Sequence, residues 1–237
     1  METPPSALDA PLLDAASLGD AAVRVQRQPF AFLTASGLLP LAAREALQHE
    51  FPRYRQAGFF PHDAADCGPT LNRLIADATA PAFADALGER LGIPQLSARP
   101  PLVTLCAQLH RRHGTIHTDS RSKVVTALVY LESHWPHGSA GCLRLLTRGD
   151  DIAALAAPEL APVYGNFAAF ARADHSFHGH LPFAGERRVI QIAWLTSHDE
   201  LRRKQRRGVT SHWFKRLLGS LDRRIGAGRD VNAAHDD

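Results

Sequence analysis

The segment from Lys123 to Leu131, KVVTALVYL, admits little except a buried β-strand. Its nine residues are dominated by β-branched and other apolar side chains, with no glycine or proline to interrupt them. Pro101 to Leu109 reads the same way. After a loop carrying Pro136, Gly138 and Gly141, Cys142 to Leu146 is a further short strand. Pro162 to Phe170 contains one or two more around a turn, and Arg188 to Leu195 is the last. Short strands separated by Gly/Pro turns over about a hundred residues predict a β-sandwich or jelly roll.

The residues before this run have a different character. Pro29 to Leu33 can form an early strand, and Pro40 to His49 has helix composition with a proline near its start. From Pro69 to Leu91, apolar residues Leu71, Leu74, Ile75, Phe83, Leu87 and Leu91 recur at helical spacings, interrupted at Pro81. Such helices would pack on one face of the roll. The expected fold is therefore α+β: a double-stranded β-helix (jelly roll) core with supporting N-terminal helices. It divides into residues 1–97 (arm and helices), 98–200 (core) and 201–237 (basic helix and tail). The first twenty-odd residues, rich in Ala, Pro and Asp, read as a loose arm. Pro52 to Gly68 reads as either a substrate lid or an ordinary connection.

At 237 residues and 45% apolar content, one well-buried domain is affordable. No apolar stretch reaches membrane-spanning length and the N-terminus lacks a basic-then-apolar leader, so a cytoplasmic protein is expected. Three cysteines, Cys67, Cys106 and Cys142, at unrelated spacings indicate neither a disulfide framework nor a zinc site. From Leu201 to Arg224 there are nine Lys/Arg and one Asp, around Trp213 and Phe214. A helix docking its apolar residues on the core, with the basic face in water, is favoured there over a nucleic-acid surface, because the whole chain carries only +3.

Two clusters carry chemistry. In a strand, residues i and i+2 share a face, so His117 and Asp119 can grip one metal ion together. The triplet alone is weak: 13 His in 237 residues make about one chance His-x-Asp match, and His235 with Asp237 is another. Its place beside buried strands gives it weight. A distal histidine would complete a facial set of three that leaves positions open opposite, the arrangement of non-haem Fe(II) oxygenases. Period 2 does not separate His178 from His180, and His175 is nearby. Arg187 and Arg188 follow. Arg188 is in phase with Ile190, Ile192 and Trp194, and an arginine among large apolar residues must find an anion; Arg187 is in phase with Val189, Gln191 and Ala193.

The order His117-x-Asp119, Thr126 to Leu131 with Tyr130, Trp135, Ala140 to Arg144, Gly165, Ser176-x-His178, Gly185-x-x-Arg188 and Trp194 resembles the iron- and 2-oxoglutarate-dependent dioxygenases, in particular the prolyl-4-hydroxylase-like branch. It covers about residues 98 to 200, and Ala140 stands where a paired glycine is common. The resemblance implies that His117, Asp119 and His178 ligate Fe(II), and that Arg188 and Tyr130 bind the distal carboxylate of 2-oxoglutarate. It also implies O2 as oxidant, with ascorbate as an accessory reductant. A C–H bond of a peptidyl residue or small molecule would be hydroxylated, with succinate and CO2 released. Two other classes compete: a cupin-like metal enzyme that does not use 2-oxoglutarate, and a noncatalytic binding module that kept the fold.

Overall fold

The computed structural model describes residues 10–19, 22–54 and 56–206. The chain forms two units, 1–201 and 202–237. Of the second only 202–206, which are helical, are described; Trp213, Phe214 and most of the expected basic helix lie outside the described residues.

Among the described residues the first unit is built on strands and helices β1 (Arg24–Gln26), β2 (Phe32–Ala35), α1 (Arg44–His49), β3 (Phe60–Pro61), α2 (Pro69–Thr79), α3 (Pro81–Leu91), β4 (Pro101–Leu109), β5 (Lys123–Tyr130), β6 (Arg144–Leu145), β7 (Phe167–Ala171), β8 (His178–Gly179) and β9 (Gly185–Leu195), joined by short 3-10 turns. Seven form one antiparallel sheet in the order β1-β2-β7-β5-β9-β4-β3, and β6 pairs with β8 in a small second sheet. Isolated bridges from Ala140 to Leu181, Leu143 to Leu160 and Leu146 to Leu155 widen the small sheet. The result is a jelly roll with helices on its outer face.

Alternation along the strands separates two cores. Val125, Ala127, Val129, Ile190, Ile192 and Trp194 share one core with Leu71, Leu74, Phe83 and Leu87 of the helices. The opposite face presents Cys106, Leu128, Tyr130, Phe170 and Val189 to Leu143 and Leu145 of the small sheet. Pro81 marks the break between helices for a steric reason. Proline disfavours the helical region for the residue before it, so Ala80 turns extended (ψ 141°) and Pro81 opens α3 in its first turn. Gly92 then closes α3 in the left-handed conformation at φ 75°.

Three expectations need adjustment. Residues 10–19 are no loose arm, since Leu12, Leu13 and Leu18 are buried in the helix-side core. The early strand begins at Phe32 rather than Pro29. The connection after Pro52 contributes edge strand β3, where Phe60 is buried and stacks on Tyr54 with ring centroids 4.4 Å apart; its neighbour Phe59 is exposed. Among the described residues no helix is long and apolar enough to cross a membrane.

Candidate metal centre

His117 lies in the loop leading into β5, and His178 opens β8. Their backbones pair directly: the amide of each donates to the carbonyl of the other at 3.0 Å. Leu145 of β6 flanks His178 on its other side. This places the two imidazoles side by side, centroids 4.3 Å apart and tilted at 56°, and Asp119 turns into the same space. One ligand atom from each of His117, Asp119 and His178 lies within 4.8 Å of the others.

The tautomers follow from the partners. His117 Nδ1 sits 2.8 Å from the Thr115 carbonyl and His178 Nδ1 sits 2.9 Å from the Ser176 carbonyl. A carbonyl can only accept, so both Nδ1 atoms carry a proton, which leaves Nε2 of each ring as the atom that can face a metal. Backbone carbonyls fixing the far nitrogen are the usual support of ligating histidines. Burial pushes the His178 pKa down to about 4, against the pull of Asp119, so the ring is neutral near pH 7. For Asp119, burial alone would raise the pKa. The Lys123 ammonium, His178, and hydrogen bonds from Lys123 and Thr126 outweigh it and hold the carboxyl below its ordinary value. Two imidazoles and one carboxylate fit a divalent first-row metal with open positions.

His180 stays out of the cluster. Its Nδ1 donates to the Leu181 carbonyl at 2.8 Å, and its ring lies over Gly114, where an added Cβ would come within 2.0 Å of Nε2. His175 reaches the Pro29 carbonyl instead.

The arginines fall opposite to expectation. Arg188 belongs to the helix-side face, with one guanidinium nitrogen 2.9 Å from Glu132 and another 3.0 Å from Glu186; its amide also donates to Glu132 at 2.6 Å. It does need an anion, and Glu132 supplies it. The large residues Ile190, Ile192 and Trp194 mark the face covered by helices, where bulk is required, whereas the smaller set in phase with Val189 lines the interior of the roll. Arg187 is in that set. It is 4% exposed, and among the described residues no carboxylate pairs with it. Its Nε donates to the Gly141 carbonyl at 2.9 Å and Nη2 to the Tyr130 hydroxyl at 3.3 Å, with the guanidinium 5.1 Å from the Tyr130 ring centre. Gly141 holds φ +74°, and a Cβ there would meet the Trp135 ring at 2.9 Å. Burial keeps Tyr130 a neutral phenol against the opposing pull of Arg187.

Sequence reasoning also passed over Lys123, Thr126 and Glu132. Thr126 shares the inner face with Tyr130, so strand phase alone could have placed it near Asp119.

No sequence-family model matches the chain, and no curated protein matches it in sequence. Solved structures do. A prolyl-4-hydroxylase from Pseudomonas putida is 19% identical with a TM-score of 0.48, covering 82% of this chain and 96% of its own. A prolyl hydroxylase from Trichoplax adhaerens, solved with a peptide fragment of the hypoxia inducible factor oxygen degradation domain, is 14% identical at 0.48, covering 77% and 87%. HygX from Streptomyces hygroscopicus, solved with nickel and 2-oxoglutarate, is 13% identical at 0.46, covering 69% and 82%.

Proposed function

We propose that the chain is an Fe(II)- and 2-oxoglutarate-dependent oxygenase that hydroxylates a C–H bond of a peptidyl residue or a small molecule. The observation that carries this reading is Arg187. A cation 4% exposed with no carboxylate among the described residues is costly to hold, and it lies on the inner face that also bears Tyr130. A bound carboxylate is the anion that the planar guanidinium fork fits best.

In this reading His117, Asp119 and His178 hold the metal, and Arg187 takes the distal carboxylate of the co-substrate. Bound iron and 2-oxoglutarate would supply the oxidising chemistry with O2, releasing succinate and CO2. Everything else the protein does is geometric. Thr115 and Ser176 fix the imidazole tautomers. Gly141 aims Arg187 by engaging Nε, leaving Nη1 and the second N–H of Nη2 for a carboxylate. Tyr130 accepts from Arg187 and so keeps its own O–H to donate to the same ligand. Leu128, Phe170 and Val189 make the surrounding inner face apolar, and a poorly solvated setting strengthens each charged contact.

The test is an anaerobic titration of Fe(II)-loaded protein with 2-oxoglutarate, following the visible metal-to-ligand charge-transfer band. The band is expected in wild type and in Arg188→Ala, absent in His178→Ala, and shifted to at least about 100-fold higher co-substrate concentration in Arg187→Ala. Iron binding without a band in wild type would favour a metal enzyme that does not use 2-oxoglutarate. Loss of the band in Arg188→Ala but not Arg187→Ala would overturn the anchor.

A further inference from the structure

The carboxylate of Asp119 already has a cation. Lys123 Nζ lies 2.6 Å from Oδ1 and the Thr126 hydroxyl 2.5 Å from Oδ2, while Arg172 Nε donates to the Asp119 backbone carbonyl at 3.2 Å. This is no surface pair, since the side chains of Lys123 and Asp119 are 13% and 8% exposed. Asp119 is the only carboxylate of the ligand set, and an ammonium balances it.

A divalent ion entering between His117, Asp119 and His178 competes for that carboxylate and meets a positive charge at close range in a poorly solvated place, where like charges repel strongly. We propose that Lys123 is a stand-in cation: it holds the Asp119 carboxylate aimed before metal arrives, and leaves Oδ1 when metal binds. Lys123 is then a positioning residue that lowers the affinity of the centre for metal while stabilising the metal-free fold. This rests on the metal reading of the triad above. An ordinary structural ion pair, kept through metal loading, makes the opposite prediction, because removing it would leave Asp119 loose and weaken binding.

The experiment titrates metal-free wild type, Lys123→Met, Lys123→Gln and Lys123→Arg with Co(II), read by its d–d absorption, alongside thermal melts of the metal-free proteins. Lys123→Met and Lys123→Gln should bind Co(II) at least about tenfold more tightly than wild type and melt lower without metal, while Lys123→Arg, which keeps the charge, should rescue both to within about threefold. Equal or weaker Co(II) binding by the two neutral variants would overturn the proposal. Lys123→Gln keeps a hydrogen-bond donor toward Asp119, so it decides the matter if Lys123→Met does not fold. Wild type that fails to bind Co(II), or binds it equally well as His178→Ala, would overturn the metal centre itself and the role of Lys123 with it.

Discussion

His178 and His180 sit two residues apart and each has Nδ1 on a backbone carbonyl, so neither strand period nor the far nitrogen separates them; what each ring touches does. The His178 ring faces His117 and Phe170, whereas the His180 ring is laid over Gly114. His180→Ala should therefore leave Co(II) or Fe(II) affinity within about threefold of wild type while costing about 1–2 kcal/mol of stability in denaturant titrations, from lost packing alone. A large loss of metal affinity would return His180 to the ligand set. The His-x-Asp pair was legible in the sequence because both residues lie close together beside an unmistakable strand. The arginine was not. Phase divided Arg187 from Arg188 correctly, but bulk was taken to mark the roll interior when it marks the helix-covered face, and the true partner of Arg188, Glu132, lies 56 residues away in sequence.

The elements that position the site differ in how they announce themselves. β4, β5 and β9 are 9, 8 and 11 residues long and rich in branched side chains, so composition alone finds them. β3 and β8 have two residues each, too few for any period to show, and β8 carries His178 of the candidate centre. What holds β8 in place is the loop between β4 and β5: the His180 amide donates to the Gly114 carbonyl at 2.8 Å. Gly114 adopts φ +82°, and a side chain there would strike the His180 ring. Gly114→Ala should cost about 2–4 kcal/mol, from backbone strain plus displacement of that ring, and weaken metal binding because the same loop delivers His117. Gly138 serves as the control. Its φ of +56° is also left-handed but opens on free space, so Gly138→Ala should cost about 1 kcal/mol and spare the metal. Denaturant titration and Co(II) titration of the two variants separate these outcomes.

At the scale of the whole molecule, the seven-stranded sheet divides its labour by face. The helix side takes Trp194, Phe83 and Phe167, with the last two rings packed edge to face at 6.1 Å, and supplies most of the apolar burial. The inner side mixes small residues such as Cys106, Ala168 and Val189 with the aromatic rings of Phe32, Tyr130 and Phe170, and this is where the candidate site lies. A roll with helices behind it was legible from strand and helix patterns, but the assignment of the two faces required the tertiary register. The mutual backbone pairing of His117 and His178 has one further consequence. The two residues that offer imidazoles to a metal also form the seam between the β5 approach and the small sheet, so an ion bound to both rings fastens the seam by mass action. The amide hydrogens of His117 and His178 should then exchange with deuterium progressively more slowly as metal is added, in proportion to site occupancy, while amides buried in β9 such as Ile190 change little. Read this way, the metal is a clasp, and the tightness of the clasp can be followed amide by amide with no substrate at hand.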